Sequence, residues 1–391
     1  MYPNPQEALP FTSRPNLDQY RKLAKELVKA CKSDDAGAIR AWTRRWLERL
    51  PVNDADTAAE RLEKYARATM LEGGCALTTA QFVIARAHGF LSWPKFAAHL
   101  ESLGRAGSPI SAYEQAAEAI VNGDDTTLAR LLRKHPKLVR ARSTREHAAT
   151  LLHYVSANGV EGYRQVSPRN AARITEMLIA AGADVDATTD VYDGKCTALG
   201  LVATSSPPQA AGVQRDVIDV LLTHGAHMDR RGLVGHDGLL VQGCLANGQP
   251  EAAQYLASRG APLDLEGAAG LGRVDAVRDL FARATPSEIR KAFGMACAYG
   301  RADVVEFLLT QGVEVDTELK SHGDGHTGLH VAAFHGQLDV VRTLLRRGAR
   351  ADAIDRTWKT PPITWAMTGK QIARHPGQYD EVIDALTIFT L

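Results

Sequence analysis

The chain predicts an all-α fold, a solenoid of about eight stacked two-helix repeats behind a small helical domain. Three observations carry that expectation. One full repeat is legible between Gly325 and Ala349, fainter copies of it run back through the chain, and the first 105 residues follow a different pattern. In the clear repeat, Thr327-Gly328-Leu329-His330 opens a short helix whose Ala332-Ala333 face admits a close neighbour. Gly336 breaks that helix. Val340, Val341, Leu344 and Leu345 then give a second helix an apolar stripe, and Gly348 ends it. Such a unit cannot bury its apolar face alone, so several must stack.

The second-helix signature recurs at Glu176 to Asp184, Val220 to Ala226, Tyr255 to Ala261 and Phe307 to Gly312. Its terminal glycines, 182, 225, 260, 312 and 348, are 43, 35, 52 and 36 residues apart. The 52-residue gap holds a degenerate repeat, with Gly272-Arg273-Val274-Asp275 as its turn and Leu280-Phe281 as its apolar pair. An earlier repeat lies at Gly123, with Leu131-Leu132 as its pair, and a capping unit runs from Thr360 to Leu391 with its second helix over Tyr379 to Leu386. This pattern resembles the ankyrin repeat, whose period is about 33 residues. The resemblance implies a solenoid over residues 110–391.

Residues 1–105 form the predicted N-terminal helical domain. Leu17, Tyr20, Leu23, Leu27 and Ala30 are at helical spacing, and helices follow over Ala38 to Leu50 and Thr57 to Met70, split by Pro51. A capped helix from Leu77 is closed at Gly89, and Ser92-Trp93-Pro94-Lys95-Phe96 opens the last one. The run Ala80-Gln81-Phe82-Val83-Ile84-Ala85-Arg86-Ala87-His88-Gly89-Phe90-Leu91-Ser92-Trp93-Pro94-Lys95-Phe96 is similar to the N-terminal region of bacterial ankyrin-repeat proteins. Trp93 and Phe96 are expected as core anchors, and Gly104 to Ser108 as the linker.

Charge is balanced, with 46 basic against 45 acidic residues, so no bulk field favours nucleic acid or an anionic membrane. Met1 to Pro10 lacks an apolar leader core, and no apolar run is long enough to span a bilayer. The five cysteines are scattered without a C-x-x-C pair, which predicts reduced thiols in a cytoplasmic protein.

Two polar insertions interrupt neighbouring repeats between their helices, at 160–170 and 204–214. They are expected side by side. Ligands of such a fold meet the hairpin tips and the positions just before each turn glycine. Those positions bring Asn122, Asn158, Asn247, Tyr299, Phe334 and His335 forward as binding candidates, with helix capping as the competing role of the three asparagines. The insertions add Tyr163, Arg164, Gln165, Thr204, Ser205 and Gln214, and Tyr154 precedes the first of them. Arg164 suits a carboxylate or phosphate.

His322, His326, His330 and His335 form the densest histidine cluster, with Asp324 among them. Zinc wants three or four convergent ligands. Family resemblance instead implies a hydrogen-bonded structural role for His330 and His153 and an exposed binding position for His326, so no metal is expected. No nucleophile elbow, zinc-protease motif or phosphate loop is present. The basic runs Arg130 to His135 and Arg342 to Arg350 lie along second helices, where a solvated face is the expectation.

Two readings follow. In the first the chain is a non-catalytic scaffold, without cofactor, that holds another protein in its concave groove. In the alternative it binds or transforms a small polar or anionic molecule beneath the insertions, with His153, His335, Tyr154, Tyr163 or Asp237 as acid–base groups. No nucleic-acid or membrane partner is expected from either.

Overall fold

The computed structural model describes residues 4–390 apart from 53, 193, 235–237, 320–324 and 373–376. His322, Asp324 and Asp237 therefore lie outside the described residues. The chain divides into two compact units, 1–238 and 239–391.

Unit 1 opens with five helices, α1 (Leu17–Cys31), α2 (Ala38–Leu47), α3 (Ala55–Glu72), α4 (Leu77–Ala87) and α5 (Trp93–Leu103). The side chain of Asn16 caps α1 by accepting from the Asp18 N–H at 2.8 Å. Their inward faces share one core in which Trp42, Leu62, Phe90 and Phe96 are fully buried. Phe96 is thus the expected anchor, whereas Trp93 only packs against the edge of this core. Cys31 and Cys75, 44 residues apart, are joined by a disulfide. That corrects the expectation of five free thiols: Cys31 ends α1 and Cys75 lies in the loop between α3 and α4, two places that meet only in the fold, so no local spacing announces them. Cys196, Cys244 and Cys297 are free and buried.

Three helix pairs complete the unit, α6 (Pro109–Val121) with α7 (Asp125–Lys134), α8 (Leu151–Tyr154) with α9 (Ala171–Ala180), and α10 (Ala198–Ala203) with α12 (Gln214–Thr223). A short α11 (Ser206–Ala210) lies between the last two. Strands β1 (Thr188–Val191) and β2 (Gly194–Thr197) pair antiparallel as the one two-stranded sheet among the described residues.

Unit 2 has five further pairs: α13 (Leu240–Ala246) with α14 (Pro250–Ser258), α15 (Leu265–Leu271) with α16 (Val274–Phe281), α17 (Pro286–Ala298) with α18 (Ala302–Thr310), α19 (Gly328–Phe334) with α20 (Leu338–Arg346), and α21 (Pro362–Ile372) with α22 (Tyr379–Thr390). The described residues therefore hold eight helix pairs, as the periodicity predicts. First helices stack on first helices because their contact faces are small: Ala268, Ala269, Ala292, Ala296, Ala332 and Ala333 are almost completely buried. A close approach of this kind is at Gly369, where a Cβ would stand 2.0 Å from the backbone oxygen of Phe334. Gly336 ends α19 at φ +63°, a conformation L side chains rarely adopt. Among the described residues no helix is long and apolar enough to cross a membrane.

Candidate functional site

The insertion at 160–170 folds inward. Val160 and Glu161 are fully buried, and Gly162–Arg164 makes a 3-10 turn that brings Arg164 to 6% exposure. Arg164 Nη1 stands 2.8 Å from Glu114 Oε2 and 3.6 Å from Glu161 Oε1. Arg145 pairs with Glu161 through Nε, donates from Nη1 to the His88 carbonyl at 3.0 Å and from Nη2 to the Tyr163 hydroxyl at 3.1 Å. His147 Nε2 reaches Glu161 at 3.4 Å. The guanidinium of Arg145 lies 5.0 Å from the centre of the Phe11 ring, and that of Arg164 lies 5.8 Å from the centre of the Tyr154 ring.

Two arginines and two glutamates thus neutralise each other out of water. Burial opposes ionisation of Glu161, but Arg145 and Arg164 outweigh it and hold its carboxyl well below the usual carboxylate range. Burial likewise pushes the Tyr163 phenol up to about 12. Tyr154, Tyr163 and Arg164, named separately as candidates, are therefore brought together as parts of a buried clamp. Arg164 faces the carboxylates of Glu114 and Glu161, and its Nε stands 3.5 Å from Glu118 Oε2.

The second insertion also turns its polar groups inward. Thr204 Oγ1 donates to the Gly200 carbonyl at 2.9 Å, Ser205 Oγ to that of Ala157 at 3.2 Å, and the Gln214 amide to those of Val202 at 3.0 Å and Ser205 at 3.1 Å. Gln214 therefore occupies carbonyls at the end of α10, in a repeat that lacks the usual turn glycine. Gln165 spends its amide on the Val160 carbonyl at 2.9 Å. Asn158 is half-buried, accepting from the Gly159 N–H and the Tyr192 hydroxyl and lying 3.5 Å from Thr204 Oγ1. These bonds occupy the groups that a roof over a ligand would have to offer downward.

Asn122 and Asn247 are exposed and cap their own helices, donating to the carbonyls of Glu118 at 3.0 Å and Gly243 at 2.9 Å. Tyr299 is half-buried, and its hydroxyl donates to the Leu245 carbonyl at 2.5 Å, tying α17 to α13.

Three of the predicted residues, His326, Phe334 and His335, belong to the last two pairs of unit 2. Phe334 and His335 are both partly exposed, with ring centres 5.2 Å apart. His326 departs from its expected exposed position: it is 1% exposed and stacks on Trp365 at 5.4 Å, because α21 covers it. The side chain of His330 bonds with that of Thr327 at 3.0 Å, and His153 does the same with Thr150 at 2.9 Å, so both hold the starts of their helices.

Sequence reading missed the residues that complete this face. Trp365 is buried beneath it, its ring centre 6.0 Å from that of Phe334 and 5.1 Å from that of Trp358. Trp358 is 56% exposed and Ile354 is 54% exposed, both on the turn before α21. Asp355 locks that turn. Its carboxylate accepts from the N–H groups of Trp358 at 2.6 Å and Thr360 at 2.9 Å, from the Thr360 hydroxyl, and from the Trp365 indole at 3.2 Å. Burial raises its pKa, but these four donors prevail and keep it ionised far below the ordinary range. The signal available in the sequence was the pair Asp355 and Thr360 around an apolar Trp358, in a turn where most residues are polar.

Stacked helix pairs joined by such turns define a repeat scaffold. Residues 265–355 match the family model of ankyrin repeats in three copies, and the fold is an all-α ankyrin solenoid. The chain is 32% identical over 164 residues to "Zinc finger CCCH domain-containing protein 50" of Oryza sativa subsp. japonica, covering 41% of this chain and 21% of that protein. It is 47% identical over 55 residues to "Serine/threonine-protein kinase TNNI3K" of Mus musculus, covering 14% of this chain and 6% of that one. The chain thus spans about a fifth of the first of these relatives and 6% of the second. Among solved structures it is similar to the human ASB11 ankyrin repeat domain, at 18% identity and a TM-score of 0.32, over 61% of this chain and 98% of that one.

Proposed function

We propose that the chain is a non-catalytic scaffold that binds another protein through the face formed by Trp358, Ile354, Phe334 and His335. The observation that supports this most is Trp358, a large apolar side chain left 56% exposed on a turn held rigid by four bonds to one buried carboxylate. Tryptophans are over-represented among the residues that dominate binding energy. A turn ordered before binding loses little further entropy when a partner arrives, so its contact area converts efficiently into affinity. Ankyrin repeats generally bind proteins, which agrees with this reading. The insertions support the small-molecule alternative less, since their polar groups are committed to backbone and to each other.

The test is affinity capture from host extract with wild type, Trp358→Ala and Trp358→Ala/His335→Ala as baits, each shown to be folded by circular dichroism. A protein retained by wild type and weakened at least about 30-fold by Trp358→Ala, the equivalent of a 2 kcal/mol hot spot, is the expected result. Equal retention by all three baits would remove the face from the account.

A further inference from the structure

The second helices of the last two repeats leave an open cleft of about 430 Å³ between them. Its floor is apolar, made by Leu345 of α20 and Ala385 of α22, and Ile388 stands in its wall at 72% exposure. Its rims carry opposite charge. Arg342 and Arg346 line the α20 side, Glu381 and Asp384 the α22 side, and all four are exposed. Among the described residues none of the four forms an ion pair, although their neighbours do: Arg347 with Glu306, Arg350 with Asp316 and Lys370 with Asp380. Glu381, Asp384, Ala385 and Ile388 follow at i, i+3, i+4 and i+7, so α22 presents one amphipathic stripe to the cleft.

An occupant of this cleft must bring an apolar spine, acidic groups toward α20 and basic groups toward α22. The surface itself meets that description. We infer that the cleft is the interface of a two-fold homodimer, in which α22 of one copy lies against the cleft of the other. Ile388 then meets Leu345 and Ala385 across the axis, while Glu381 and Asp384 meet Arg342 and Arg346. A two-fold axis makes each such contact occur twice, so one self-complementary patch suffices and the assembly closes at two copies. Unmatched rim charges become matched, which favours this pairing over others. The surface lies apart from the Trp358 turn, so dimerisation does not rest on the proposed scaffold function.

Sedimentation velocity of the full chain across about 1–100 µM tests this, with Glu381→Lys/Asp384→Lys and Arg342→Glu/Arg346→Glu as variants. Either variant alone brings like charges together and is expected to raise the dimer dissociation constant at least about tenfold. Mixing the two in equal amounts restores opposite charges at every rim contact and is expected to restore the dimer. Ile388→Asp, which leaves the charges in place, is expected to give monomer as well. Circular dichroism checks that these exposed substitutions leave the fold intact. A wild type that stays monomeric throughout, or a dimer indifferent to both charge reversals and to Ile388→Asp, would overturn the inference.

Discussion

Glu161→Gln removes one charge from the buried clamp and changes almost nothing else in shape. Glu161 is fully buried and faces Arg145, Arg164 at 3.6 Å and His147 at 3.4 Å. With an amide there, the two buried guanidinium groups are left with Glu114 and, for Arg164, the more exposed Glu118 at 3.5 Å. Removing one partner of a buried pair costs about 3–5 kcal/mol, because the orphaned charge stays in a medium that solvates it poorly. For a unit of this size 1 kcal/mol shifts the melting temperature by about 2–4 °C, so the expected loss is roughly 6–20 °C. Differential scanning calorimetry and urea unfolding followed by circular dichroism would read it. Glu161→Gln/Arg164→Met removes one charge of each sign, and its cost is expected to fall short of the sum of the single changes by about 1–3 kcal/mol. A Glu161→Gln protein within about 0.5 kcal/mol of wild type would refute the reasoning, since the clamp would then be solvated and weak.

Three further outcomes are expected. Burial pushes His88 down to about 3 and His99 and His153 down to about 4, so the unfolded chain binds protons that the folded one refuses. Stability of unit 1 should therefore fall as pH drops from about 6.5 toward 4, by up to about 1.4 kcal/mol per pH unit for each imidazole, and urea midpoints unchanged between pH 7 and pH 5 would contradict it. Gly369→Ala places a methyl 2.0 Å from the Phe334 carbonyl oxygen and should lower unit 2 stability by about 1–3 kcal/mol, read as an earlier urea midpoint. Cys31→Ser/Cys75→Ser opens a 44-residue loop and should cost about 4 kcal/mol by chain entropy, with an unchanged melting temperature as the contrary result.

The repeat architecture was legible because it rests on short-range pattern. Thr327, His330, Gly336, Leu344, Leu345 and Gly348 each do locally what their spacing announces, and the pattern recurs often enough to survive the degenerate copy at Gly272. The fate of the polar insertions was not legible. Whether Arg164 faces solvent or the interior depends on Glu114 and Glu161, and Glu114 is 50 residues away in sequence. Nothing local distinguishes a guanidinium that will grip a ligand from one that will close a clamp. Gln214 misled for a related reason: an amide replacing a missing turn glycine is as polar as one placed for binding. His326 was expected exposed because its place before the helix usually is, but Trp365 from the next repeat covers it. Trp358 was overlooked because candidates were drawn from the positions before the turn glycines and from the insertions, whereas its placement comes from Asp355 fixing the turn from beneath.

The central claim is that a partner docks on the Trp358 turn and the adjoining end of α19. Hydrogen exchange of the chain with and without its captured partner tests that claim most directly. The account predicts slowed exchange in peptides covering 328–336 and 354–360, lost in Trp358→Ala. Protection confined to the insertions at 160–170 and 204–214, with the Trp358 turn unchanged, would contradict it.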